Sequence, residues 1–233
     1  MDPLVRFGQP ENKNILPARL KSSVLKRMKY VEKGIKRVQI ASNLLYPKYY
    51  VEPVLPVTET IHEVGQLGVL YARTIPVVGP AGVEIVVQLS AALVAYAAAS
   101  TLTAVLAHEF LHYVEFVRKF TKMDSLAEEI STTIYESVYA DADRLYDPKL
   151  LYKDKRLVNL LKKKFVGGLN DPKLHEKTTK NWVGEGLPIL RIPPESNTMR
   201  IPVSALLSSN FDIMAKMRIE ELDRMIIEHA QRI

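Results

Sequence analysis

The sequence predicts an α+β fold: a small β-sheet packed on one buried helix, a second helix beside it, and further helices before and after. Three observations lead there. Apolar residues recur at helical spacing through a basic stretch near the N-terminus, β-branched segments bounded by Pro and Gly follow Tyr50, and an uncharged run leads into a helix from Thr101. With 233 residues and 47% hydrophobic content, the chain can fill one large core or two small ones.

The first element spans Leu20 to Ile40, where Leu25, Met28, Val31, Ile35 and Val38 form a helical stripe with Lys and Arg between them. Up to Tyr50, eleven bases face only Asp2, Glu11 and Glu32, and the whole chain carries a net charge of +6. A solvated helix face accounts for this charge. Nucleic acid is an alternative partner for it, but no aromatic interleaving or reader motif accompanies the bases.

After Tyr50 the chain turns extended. VEPVLPVTET is broken by proline, QLGVLYARTI reads as a strand, TIPVVGPAGV as a turn-rich link, and Val83 to Leu89 as a further strand. From Leu89 to Ala107 no residue is charged, which is long enough to raise the question of a membrane span. Its Ala, Ser and Thr content is too weakly hydrophobic for that, so the reading is a buried strand and turn to about Ala99. A helix then runs from Thr101, with Ser100 and Thr101 as capping residues, to about Phe120.

Within that helix stands VLAHEFLHYV. His108 and His112 lie about one turn apart on one face, so their imidazoles can close on a single cation, and Glu109 is rotated about 100° to border it. The plain alternative is two core histidines with local partners. The neighbours Val105, Leu106, Ala107, Phe110, Leu111, Tyr113 and Val114 are uncharged, so two imidazoles and a carboxylate here require partners. The chain has no cysteine, which excludes thiolate metal sites, disulfides and cysteine nucleophiles and leaves His, carboxylate and water as ligands. A second His-Glu pair, His62 and Glu63, has Gln66 where another histidine would stand and reads as incidental.

This stretch resembles the active-site helix of the zincin (HExxH) zinc metallopeptidases, with GVEIVVQLSA in the place of their substrate-aligning edge strand. The resemblance covers about a quarter of the chain. It implies Zn2+ held by His108 and His112, Glu109 as general base, and peptide or protein substrates. No third histidine follows closely, since the next is His175, so the likeness is to the gluzincin branch, where a second helix returns a glutamate to the metal. SLAEEISTTIYESVYADADRL, Ser125 to Leu145, reads as that helix and offers Glu128, Glu129 and Glu136. An antiparallel return at about 1.5 Å per residue reaches the level of the histidines near Glu136, with Glu129 as the alternate if the first helix ends sooner. Glu185 in NWVGEGLPIL is a further rival, set back by Pro188, Pro193 and Pro194, which oppose a helix there.

Beyond Asp147 the sequence predicts a basic helix in KDKRLVNLLKKKF, a loop-rich section to about Pro202, and a last helix from Ala205 to Ile233 striped by Ile213, Met217, Ile219, Leu222, Met225, Ile226 and His229. The organisation read from these elements is a basic helical extension over 1–50, a zincin-like catalytic region over 51–147 and a helical and loop extension over 148–233. No basic-then-apolar leader is visible at the N-terminus, so a cytoplasmic protein is expected, and the absence of Cys with abundant Lys, Glu, Ile and Val suits a hot environment. The function expected is zinc-dependent peptide hydrolysis. Its alternatives are a non-catalytic binding protein on the same scaffold and a membrane-associated peptidase.

Overall fold

The computed structural model describes residues 2–59, 67–123, 133–135, 146–192, 198–200, 205 and 208–230. In chain order its elements are α1 (Val5–Gly8), α2 (Ala18–Ser42), β1 (Lys48–Glu52), β2 (Leu55–Glu59), β3 (Leu67–Val69), β4 (Ala72–Gly79), β5 (Gly82–Ser90), α3 (Ala91–Tyr96), α4 (Ala99–Met123), β6 (Thr133–Tyr135), α5 (Pro148–Leu151), α6 (Lys155–Lys164), α7 (Pro172–Thr178), β7 (Ile189–Ile192), β8 (Thr198–Arg200) and α8 (Ile213–Ala230). Small sheets and several helices make an α+β architecture, with α4 packed against β4, β5, α2, α6 and α8.

Helix α2 forms where the apolar stripe predicts it, burying Leu20, Val24, Met28, Val31, Ile35 and Val38, while Leu25 is 58% exposed and lies off the stripe. A Cβ at Gly34 would come within 2.7 Å of the Leu106 side chain, so the missing side chain sets how closely α2 approaches α4. The helix ends at Asn43, whose φ of 58° is the left-handed cap that Asn adopts at low cost.

Strand β5 is the centre of a three-stranded sheet, parallel to β1 and antiparallel to β4. The stretch read as a turn-rich link is therefore mostly strand: β4 and β5 pair from Ala72–Leu89 to Gly79–Gly82 around a tip at Pro80 and Ala81. Pro76 is tolerated inside β4 because, among the described residues, that strand has one open side and need not donate along it. Gly82 has φ 103°, and a Cβ there would meet Ala205 O and Ser209 N at 2.8 Å, so only glycine fits this approach.

The uncharged stretch after Leu89 divides differently from its sequence reading. Ser90 caps α3, its hydroxyl accepting from Leu93 N at 3.1 Å, and Ala91–Tyr96 is helical, as Ala and Leu favour, where strand and turn were expected. Arg27 donates to the carbonyls of Val94 and Ala97 at the end of that helix. Among the described residues no helix is long and apolar enough to cross a membrane.

The helix expected over Ser125–Leu145 is not what the structure shows at 133–135, which form strand β6 antiparallel to β8. Thr, Ile and Tyr all favour extended backbone, and pairing with β8 outweighs the helical spacing of the surrounding acids. The rest of that segment lies outside the described residues. In the section read as loops, α7 and β7 form, and β7 pairs parallel with β2, which has antiparallel β3 on its other side. In α8 the buried stripe is Ala215, Ile219 and Leu222, whereas Ile213, Met217, Met225 and Ile226 are 40 to 70% exposed, so it is narrower than the sequence implied.

Asp171 ties the start of α4 to α6 and α7. It accepts from Thr101 Oγ1 at 2.5 Å, from Lys164 Nζ at 2.7 Å and from Leu174 N at 3.1 Å, so Thr101 makes this contact rather than capping its own helix. Burial alone would raise the Asp171 pKa, but the Lys164 ammonium and the two hydrogen bonds outweigh it and hold the carboxyl below its usual value of 3.8. A lowered folded-state pKa means that this stabilisation is present above the unfolded value and is lost as pH falls through the folded one. Asp171→Asn should therefore cost about 2–4 kcal/mol near pH 7 in denaturant unfolding, with the gap to the parent narrowing below about pH 4. An equal gap at pH 7 and pH 3 would contradict the assignment.

Candidate metal centre

Helix α4 is enclosed along its middle: Leu102, Ala104, Leu106, Ala107, Phe110, Val114 and Val117 have no exposed surface. His108 and Glu109 are buried in the same turn at 8% and 5% exposure, and His112 is half-buried. The one-turn spacing brings the two imidazoles together, with Nε2 to Nε2 at 3.1 Å, ring centroids 4.8 Å apart and planes at 84°. Two ring nitrogens this close need a shared proton or a cation between them. Tetrahedral zinc with nitrogens at about 2.0–2.1 Å spaces its ligand atoms about 3.3–3.4 Å apart, close to the separation found, so the pair fits zinc with little adjustment.

Glu109 leaves the helix toward the sheet. Thr74 Oγ1 on β4 lies 2.9 Å from both Glu109 Oε2 and the Glu109 carbonyl oxygen, so one hydroxyl proton is shared between two acceptors. Thr74 is 2% exposed, which fixes that carboxylate oxygen from a rigid strand. The strand nearest Glu109 is thus β4 and not β5, whose pairing on both sides removes it from the edge position assigned from the sequence.

Two tyrosines steady the turn before His108. Tyr46 Oη donates to Leu106 O at 3.0 Å and Tyr152 Oη to Ala107 O at 2.6 Å. Burial pushes both phenol pKa values well above 10, and the Glu109 carboxylate adds to the rise at Tyr46, so both hydroxyls stay protonated donors. On the other side, Phe165 at the end of α6 lies flat on the His108 ring, with centroids 4.0 Å apart and planes at 6°. Its hairpin is closed by a bridge between Phe165 and Leu169, and His175 Nε2 lies 3.2 Å from Leu169 O while its Nδ1 lies 3.2 Å from Tyr71 Oη. A cavity of about 470 Å³ opens beside His108, walled by Leu111, Leu161 and Phe165, with Tyr146, Asp147 and Lys162 around it.

Glu136, Glu129 and Glu128, the expected sources of a third ligand, lie outside the described residues. With strand at 133–135, the antiparallel helix argument that ranked Glu136 over Glu129 loses its geometry. Glu185 is on an exposed turn, and among the described residues no three His, Asp or Glu side chains group into a metal site, so Glu185 is not brought to the histidines. Thr74, Tyr46, Tyr152 and Phe165 are missing from the sequence reading. Only Gly167 and Gly168 after Phe165 hinted at a turn there, and nothing in the sequence directs the other three toward α4.

No protein family, curated protein or solved structure matches this chain.

Thr74→Val keeps the shape and removes the hydroxyl from a buried carboxylate. It should lower stability by about 1–3 kcal/mol in denaturant unfolding at pH 7, with Thr74→Ser restoring most of the loss. If Val and Ser behave alike, Thr74 is not holding Glu109.

Proposed function

We propose that this protein is a zinc-dependent metallopeptidase that hydrolyses peptide bonds at the α4 site. The observation that carries the reading is the 3.1 Å convergence of His108 and His112 Nε2 on one buried helix, with Glu109 next to His108 in the chain and its carboxylate held from β4 by Thr74. An ordinary pair of core histidines does not call for a buried carboxylate in the same turn.

His108 and His112 would hold the metal through Nε2, and a carboxylate from the 124–145 segment, Glu136 or alternatively Glu129, would complete the ligand set. Bound zinc supplies Lewis acidity, polarising a peptide carbonyl and lowering the pKa of water to about 7. Glu109 would accept the proton of the attacking water and return it to the departing amine, the general-base role that its place next to His108 allows. Thr74 orients that carboxylate, and the Phe165 ring holds the His108 imidazole in one plane. The two tyrosine donors on Leu106 and Ala107 keep the helical turn that carries His108 in place.

The purified protein should carry about one zinc per chain. Glu109→Gln should retain it and lose casein hydrolysis by a factor of 10² or more, while His112→Ala should lose both metal and activity. Zinc-free protein that takes up no added zinc, or a Glu109→Gln variant as active as the parent, would overturn the reading.

The third ligand is separable by titration against a competing chelator. Replacing a direct ligand should weaken zinc binding severely, whereas a supporting carboxylate costs about 10 to 100-fold, so Glu136→Ala should be more damaging than Glu129→Ala. The reverse order would move the ligand to Glu129, and two unaffected variants would place it elsewhere in the chain.

A further inference from the structure

Helix α6 sorts its residues by face. Leu157, Val158 and Leu161 are buried, and Lys155, Arg156, Asn159, Lys162 and Lys163 are exposed at spacings that place them on one outward side. The helix dipole accounts for lysines in the last turn but not for Lys155 and Arg156 in the first, where positive charge is unfavourable. Of the nearby acids, Asp154 accepts from Arg37 at 2.8 Å and Asp171 from Lys164 at 2.7 Å, so neither offsets the strip, while Asp147 on the cavity lining accepts from Lys149 N at 2.9 Å and is outnumbered by the exposed bases of α6.

This basic face runs into the cavity beside His108, where Lys162 is part of the lining and Leu111, Leu161 and Phe165 supply apolar wall. The cavity is further bounded by Gly167 and Gly168, with φ 66° and 118°, where an added Cβ would meet nothing within 4 Å among the described residues. One side of the space is thus bare backbone, which leaves room for a bulky occupant. Cavities of a few hundred Å³ with apolar walls and a few placed charged groups select a side chain by size and its neighbours by charge.

We propose that the segment this site recognises is an acidic stretch of polypeptide bearing a large apolar residue, with the apolar side chain in the cavity and flanking carboxylates along Lys162, Lys163 and Arg156. The inference rests on the peptidase reading for what becomes of the segment, and on α6 and the cavity for its recognition. Charge supplies attraction that salt screens, and the apolar side chain supplies the part that salt leaves in place.

The test uses the full chain carrying Glu109→Gln, so that binding is read without turnover, and measures fluorescence anisotropy with labelled peptides. One peptide has a central Phe flanked by Glu, a second the same Phe flanked by Lys, and a third has Gly in place of Phe between the Glu residues. The Glu-flanked Phe peptide should bind about tenfold or more tightly than either of the others, with the charge advantage largely gone at about 0.5 M salt. Lys162→Glu combined with Lys163→Glu should erase the preference for Glu over Lys flanks while circular dichroism and zinc content stay those of the parent. Equal binding of the Glu- and Lys-flanked peptides, or of the Phe and Gly peptides, overturns the proposal, as does equally tight binding of a single-stranded oligonucleotide of matched charge. Casein hydrolysis by the parent without this discrimination sinks the recognition proposal alone, whereas discrimination without turnover in the parent upholds it and sinks the peptidase reading.

Discussion

A helix enclosed along its middle cannot hold two imidazoles and a carboxylate unless its neighbours supply partners, and the arrangement around α4 answers that demand. The sheet contributes Thr74 to Glu109, the segment before β1 contributes Tyr46 to Leu106 O, the chain before α6 contributes Tyr152 to Ala107 O, and α6 ends on Phe165 against His108. An unpaired buried polar group costs about 1–3 kcal/mol and an unpaired charge more, so these contacts constrain where β4, α6 and the segment leading into β1 can sit. The site and the core are one construction.

Periodicity made the long elements legible. The α2 stripe, the strand over 83–89, the central helix and the basic α6 all stand where apolar spacing puts them, because each buries one side against the same hydrophobic cluster. The failures share a cause. Pro76 and the glycines make β4 look like a link, although pairing with β5 continues to the hairpin tip, and 91–96 reads as strand and turn where the structure has α3. At 133–135 a cross-strand partner 63 to 67 residues away in sequence decided the backbone, and no local window contains that partner.

The candidate site divides in the same way. His108, Glu109 and His112 were visible because their geometry is local to one helical turn, while the groups that orient them come from four other parts of the chain. Charge shows a comparable split. Basic residues on α2 and α6 were countable from the sequence, but that Arg37 is engaged with Asp154 and Arg27 with the end of α3, while Lys162 borders the cavity, required the packing of α2 and α6 around α4.

The ring of Phe165 on His108 has a consequence for the order in which the molecule is made. During synthesis the histidine pair leaves the ribosome well before α6 and its terminal aromatic, and the Thr101 to Asp171 contact must wait longer still. Contacts this distant in sequence form late, since the intervening chain must close before they add stability. The nascent chain therefore carries the two histidines on a helix whose full enclosure comes only when the C-terminal half arrives, and a fragment truncated before Phe165 would hold the motif without its ring support.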